Sequence, residues 1–149
     1  MRPSPAAAGV SDLGFVAFTE RNRPRYLRYA SARLGVDSAV RSAVGATFAF
    51  AQAQWPWLLA QPGLALDVWE ELRYQVGCES EHYPPVVRSV ARLYDRLPQT
   101  SADSVLLCRH LGLDVDEASD LMGVERAAVE AGLVVAHRNL PFLVERGCM

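Results

Sequence analysis

The sequence contains no lysine and no isoleucine, so each of its fifteen fixed side-chain cations is an arginine. Its three cysteines, Cys78, Cys108 and Cys148, are odd in number and widely spaced, which argues against a disulfide framework. No apolar run is long enough to cross a bilayer, and the first residues lack the apolar segment of a secretory signal peptide. A net charge of −2 excludes a nucleic-acid binder that relies on bulk positive charge. We therefore expect a cytoplasmic protein with no membrane partner.

The residues that are present have a globular composition, since 50% are hydrophobic and 21% are charged. Apolar residues recur at steps of three and four, and no stretch shows the clean two-residue alternation of a half-buried strand. One such stripe consists of Val40, Val44, Phe48, Ala51 and Trp55. This periodicity predicts an all-α fold of about seven helices.

Helix breakers and capping residues divide the chain. Pro24 and Gly77 are predicted breakers, and Asp12, Asp37 and Ser101 are predicted N-caps. The polar stretch 77–84 leads into Pro84 and Pro85, which are placed to start a helix. We thus predict a flexible N-terminus (1–11), a helical domain (12–76), a linker (77–84) and a second helical domain (85–149). Each half is shorter than the roughly 80 residues below which a single core is marginal, so packing of the halves on each other or on a partner would add stability.

Residues 97–140 have the spacing of a helix-turn-helix. Asp116 is the predicted N-cap of a short helix over 117–122, and Gly123 suits the left-handed turn that would end it. A last helix is predicted from about residue 126 to residue 140, with Val129, Leu133 and Ala136 on its buried face. In such a motif the last helix can enter a major groove. A plain three-helix bundle is the alternative interpretation of the same residues.

The N-terminal half adds a family resemblance. Residues 15–35 and 37–74 resemble the second conserved region of bacterial extracytoplasmic-function sigma factors. The shared features are an F-x-x-F opening, an Arg/Tyr-rich helix ending in Leu-Gly, an Asp-x-Ala start, then Phe48 and a tryptophan, and a helix centred on Trp69. Residues 97–140, which start with Leu-Pro and end in Arg-x-Leu, resemble the fourth conserved region. The resemblance implies a protein that docks on RNA polymerase through 12–76 and recognises two promoter elements, one per domain.

The sequence departs from the family where the family would contact DNA. The resemblance places Glu130, Gly132 and Val135 where the family usually has Lys or Arg. The residues left to contact DNA are Arg126, His137, Arg138 and Asn139. Residues 101–140 contain three arginines against seven acidic residues, a local charge of −4. Because phosphate neutralisation supplies most non-specific affinity, promoter DNA is expected only as a weak partner.

Positive charge is concentrated in residues 21–41, where six arginines face one acidic residue, a local charge of +5. The candidate partner-binding residues are Arg21, Arg25, Arg28, Arg41 and Trp55. Arginines among aromatic residues suit an acidic protein surface or nucleic acid. The alternative for the arginines is a solvated helix face whose aliphatic stems cover the core. For Trp55 the alternatives are stacking on bases and packing in the core.

No catalytic or metal-binding constellation is visible in the sequence. Cys78 and His82 have the spacing of helical metal ligands, but zinc needs about four converging ligands and a second pair is missing. No nucleophile accompanies a base, so we expect no enzyme, no cofactor, no metal and no small-molecule substrate.

Two hypotheses for the function remain. The first is a sigma-like regulator that binds RNA polymerase and promoter DNA. The second is a degenerate relative acting only through contacts with polymerase, a sigma factor or another regulator.

Overall fold

The computed structural model describes the backbone of residues 5–83 and 88–140 and the side chains of residues 13–83 and 89–140. All regular structure within these ranges is helical, which confirms the all-α prediction. The helices are α1 (Pro5–Leu34), α2 (Asp37–Ala53), α3 (Trp55–Ala60), α4 (Leu64–Ser80), α5 (Arg88–Arg96), α6 (Gln99–Val105), α7 (Val115–Met122) and α8 (Arg126–Asn139). A π-helical turn, Leu106–His110, continues α6. The predicted helix start at Pro84 and Pro85 and the cysteine at position 148 lie outside the described residues.

Several predicted helix boundaries are wrong. α1 continues through Pro24 and contains Asp12, and its helical backbone includes residues 5–11. The packing of Phe18 and Tyr26 against Phe48, on both sides of the proline, outweighs its local breaking tendency.

The other boundary errors lie at helix ends. The N-cap of α2 is Val36 rather than Asp37, and Ser101 is a buried residue within α6. α4 continues over Gly77 to Ser80, so the first residues of the predicted linker are helical. Each of these residues has the right local chemistry for an end or a cap, but tertiary packing decides the boundary.

The main hydrophobic core is shared by the two halves of the chain. Residues of the N-terminal half contribute Tyr26, Val40, Phe48, Trp69 and Leu72, and the C-terminal half contributes Leu106, Leu107, Leu121, Met122 and Val129. A smaller cluster joins α5, α6 and α8. Since neither half is long enough for a stable core of its own, packing on each other removes apolar surface from water that each would otherwise expose.

A buried carboxylate lies where the halves meet. Asp103 of α6 is fully buried. Its Oδ1 accepts a hydrogen bond from the Tyr29 hydroxyl at 2.8 Å and another from the Tyr94 hydroxyl. Its Oδ2 accepts hydrogen bonds from Trp69 Nε1 at 3.0 Å and from Arg73 Nε at 2.6 Å. A buried charge is tolerated only when it is paired and hydrogen-bonded, and donors from α1, α4 and α5 together meet that condition.

Candidate nucleic-acid and partner interface

The second helix of the predicted helix-turn-helix segment, α7, begins with a capping box. Asp114 Oδ1 accepts a hydrogen bond from the Glu117 backbone N–H at 2.7 Å, and the Glu117 carboxylate accepts one from the Asp114 N–H at 3.4 Å. The Glu117 backbone N–H also holds the pKa of Asp114 below its usual value. The prediction of Asp116 as the N-cap is therefore wrong by two residues. The Asp-x-x-Glu pattern that starts at Asp114 is the sequence feature that identifies the true cap.

The turn between α7 and α8 fixes this motif onto the N-terminal half. Gly123 has a φ of 71°, the left-handed conformation that its position predicted. A Cβ at Gly123 would lie 2.2 Å from the backbone nitrogen of Leu66, so the turn abuts the first turns of α4. The Ser119 hydroxyl donates to the Val124 carbonyl at 2.6 Å and closes the turn from the other side.

The buried face of α8 packs tightly on α6. Val129 and Ala136 are fully buried, as the periodicity predicted, and Leu133 is half-buried. Gly132 is buried on the same side, and a Cβ there would lie 2.9 Å from Ser104 Oγ. Position 132 therefore faces α6, and its assignment to the DNA-facing surface is wrong.

The start of α8 carries a cation that neighbouring acids already hold. Arg126 Nη1 donates to Asp116 Oδ1 at 2.9 Å, and its Nε donates to Glu130 Oε1 at 2.9 Å. Hydrogen bonding and charge attraction from Glu130 and Asp116 raise the pKa of Arg126 above its usual value. A phosphate that approached this guanidinium would meet two carboxylates at the same place.

The other predicted DNA-contacting residues lie at the far end of α8. His137, Arg138 and Asn139 are exposed. His137 and Arg138 line a shallow cavity of about 300 Å³ together with Arg109, Leu133 and Val134. Val134 is 50% exposed, so this end of the helix combines cationic and apolar surface.

The predicted partner-binding arginines do not form one surface. Arg21, Arg25 and Arg28 lie at helical spacing on α1, whereas Arg41 is exposed on α2. Arg21 Nη2 donates to Asp120 Oδ2 at 3.2 Å, and Arg28 Nη2 donates to the Leu111 carbonyl at 2.6 Å. Two of the four therefore make contacts between the halves of this chain.

Trp55 is a core residue rather than a partner contact. It is 5% exposed and its ring lies 5.5 Å from the rings of Phe15 and Phe18. The prediction of a partner contact at Trp55 is therefore wrong in this conformation. Its place at the end of the apolar stripe that begins at Val40 already indicated the core. Trp57 on α3 is 52% exposed, so it is one of the aromatic side chains that the surface offers.

The described part of the chain contains no group of three or more His, Cys, Asp and Glu side chains that could hold a metal ion. Cys78 and Cys108 are half-buried free thiols, and burial raises the pKa of Cys108. No described helix has the length and apolar character needed to cross a bilayer.

No protein-family model, curated protein or solved structure matches the chain. What the interface can do is therefore inferred from its own residues.

Proposed function

We propose that this protein is a sigma-like regulator of transcription initiation that works through protein contacts. Its partner is RNA polymerase, a sigma factor or another transcription protein, and it does not grip promoter duplex strongly. The order of the two sigma-like segments supports the transcriptional context. The surface of α8 supports the choice of protein over DNA.

The observation that carries the proposal is the position of Arg126 between Asp116 and Glu130. In DNA-binding helix-turn-helix proteins, the N-terminal residues of the last helix contact base edges. Here the cation in that position pairs with two exposed carboxylates, Asp116 of α7 and Glu130 of α8. Binding of duplex DNA here would strip water from these carboxylates, and the complex would gain little phosphate attraction in return.

The middle of α8 offers apolar surface in place of polar contacts. Ala127, Ala131 and Val134 are exposed at helical spacing, and Val135 is exposed beside them. The centre of a protein–protein interface is depleted of charge and enriched in apolar area. This stripe suits a partner helix or groove better than it suits base edges.

The contact between the halves favours the same choice. A protein that reads two promoter elements with two domains must place the domains at separate points along the DNA. In this chain the halves share a core, and Asp103 binds side chains from both. Separating them would expose a buried ion pair and apolar surface to water.

The test compares Val134→Glu with Val16→Glu in the full chain. Val16 is 48% exposed on α1 and provides the matched control for the 50% exposed Val134. Binding to purified polymerase core and to candidate sigma factors is measured by interferometry. We expect Val134→Glu to weaken binding by at least about tenfold, since a charge in an apolar interface costs more than 1.4 kcal/mol, while Val16→Glu has no effect. Equal effects of the two variants would contradict an interface on α8.

Promoter DNA is the second candidate partner, and the exposed cluster of Arg109, His137 and Arg138 favours it. Binding to labelled duplex is measured by anisotropy at several salt concentrations. If Arg138→Ala abolishes saturable, sequence-dependent binding by the protein alone, DNA recognition is its function and the protein-contact proposal fails.

A further inference from the structure

A second surface is a groove between α1, the first turn of α4 and α7. The groove has a volume of about 480 Å³, within the range of common ligand sites. Its rim includes Arg21 and Arg25 from α1 and Asp120 from α7. It is therefore built from both halves of the chain.

The charge of the groove is only partly balanced. Arg21 pairs with Asp120 at 3.2 Å, and both side chains are well exposed. Arg25, one helical turn further along, takes part in none of the ion pairs found among the described residues. In the groove, Arg21 is thus already paired with a carboxylate, whereas Arg25 could pair with a carboxylate of a partner.

The floor of the groove is apolar. Phe18, Leu64 and Leu121 line it below the two arginines. An inorganic anion would use the cations and leave this floor uncovered. A peptide that carries acidic side chains on both sides of an apolar one matches the rim and the floor together.

The walls of the groove are held in place before any partner arrives. The backbone at Gly123 packs directly on the backbone of Ala65 and Leu66, which fixes the end of α7 against the start of α4. On the α1 side, Tyr26 stacks on Phe48 with ring centroids 5.3 Å apart. A preformed site loses less conformational entropy on binding.

We propose that this groove binds an acidic peptide segment of a partner protein. One carboxylate of the segment pairs with Arg25, a second displaces Asp120 from Arg21, and the apolar side chain between them lies on Phe18 and Leu121. Asp120 therefore acts as an internal competitor for the partner. The inference rests on the proposed function only in taking the partner to be a protein.

The test uses end-blocked, fluorescein-labelled peptides with the full chain and measures anisotropy. The probe has a Glu-Leu-Glu core, and the controls have Gln-Leu-Gln and Glu-Ser-Glu cores. We expect only the Glu-Leu-Glu peptide to bind well.

Arg25→Ala should weaken the binding of this peptide about tenfold, as expected for loss of a charge-assisted hydrogen bond. Arg92→Ala, at an exposed arginine of α5 that does not line the groove, should leave peptide binding unchanged. Asp120→Asn should tighten it severalfold.

Three results would overturn the inference: equal weakening by Arg25→Ala and Arg92→Ala, equal binding of the Gln-Leu-Gln peptide, or no gain from Asp120→Asn. The same experiment separates this inference from the proposed function. If the peptide binds with the expected variant pattern but no transcription protein binds the chain, the groove stands and the proposed function fails. If a transcription protein binds through Val134 while no peptide binds, the groove inference fails alone.

Discussion

The hydroxyl of Tyr29 on α1 donates a 2.8 Å hydrogen bond to the carboxylate of Asp103 on α6. Around this contact Arg33 donates to the Tyr29 hydroxyl at 3.2 Å and lies 3.7 Å from the centre of the Tyr94 ring. Arg73 supplies the opposite charge to Asp103 at 2.6 Å. The residues that meet here are far apart in sequence, so the network forms only when both halves are folded together.

Asp103→Asn should destabilise the protein strongly. The substitution keeps the size of the side chain but leaves Arg73 without its countercharge in a mostly buried place. Breaking a buried ion pair by removing one partner costs about 3–5 kcal/mol. Urea unfolding followed by tryptophan fluorescence, to which Trp69 beside the same carboxylate contributes, would measure the loss.

Asp95→Asn is the control for that prediction, because Asp95 is exposed on α5 and forms none of the ion pairs found in the described ranges. Its effect should stay within about 0.5 kcal/mol. A loss below about 1 kcal/mol for Asp103→Asn would show that the Asp103 network contributes little to holding the halves together.

Gly132→Ala should destabilise the protein, although alanine is the better helix former. A Cβ at this position would lie 2.9 Å from Ser104 Oγ and 3.2 Å from Ser101 Cα, so α6 and α8 would have to move apart. Overpacking of this kind costs about 1–3 kcal/mol. Thermal and urea unfolding would give the size and sign of the change.

The matched substitution is Gly45→Ala on α2, where nothing lies within 4 Å of the added Cβ. There the helix propensity of alanine should dominate and stabilise the protein by about 0.5–1 kcal/mol. Opposite signs for the two substitutions are expected. If both substitutions stabilise the protein, α6 and α8 can accommodate a methyl group at position 132, and the expected steric clash there is absent.

The features that sequence reasoning predicted correctly depend on local patterns. Steps of three and four between apolar residues are a property of any helix with one buried face, so the helical class follows from the stripe that includes Val44 and Phe48. Gly123 adopts the predicted left-handed conformation because few other residues do so without strain. α8 begins at Arg126, where the sequence predicted the last helix to start.

The features that could not be predicted depend on contacts between distant residues. Asp103 has the pattern of a surface acid, and only the donors brought to it from α1, α4 and α5 make its burial possible. In the sequence Arg21 has no acidic residue at helical spacing that would pair with it, and only the folded chain brings Asp120 of α7 beside it. A candidate site inferred from charge alone therefore overcounts the cations available to a partner.

Stability should fall steeply at alkaline pH. Burial raises the pKa of Tyr26, Tyr29 and Tyr94 above the usual value, and the negative charge of Asp103 adds to the effect at Tyr29 and Tyr94. In the unfolded chain these phenols ionise near pH 10, whereas the folded state keeps them protonated to higher pH. Their contribution is thus fully present below about pH 10 and is lost as the pH rises further.

Urea midpoints measured in steps from about pH 8 to pH 11.5 would show this decline, with phenolate absorbance recorded in parallel. Tyr94→Phe removes one of the three groups, so its midpoint should fall less steeply with pH than that of the unmodified chain. A midpoint that stays constant across the range would mean that these tyrosines ionise as easily in the folded state as in the unfolded one.

Freeing Arg126 should make the chain a better binder of duplex DNA. Asp116→Asn combined with Glu130→Gln removes both carboxylates that hold its guanidinium, whereas either substitution alone leaves one in place. One additional phosphate contact should steepen the slope of log affinity against log salt by about 0.9. Adding Arg126→Ala to the double variant should return the slope to its original value, and anisotropy titrations at several salt concentrations measure it.

The control is Glu70→Gln combined with Glu81→Gln, which changes the net charge by the same amount at exposed sites of the α4 region, away from α8. If that control steepens the slope as much, net charge rather than the clamp on Arg126 limits DNA binding. If only the first pair does so, the acids beside Arg126 are what weaken the binding of α8 to duplex DNA.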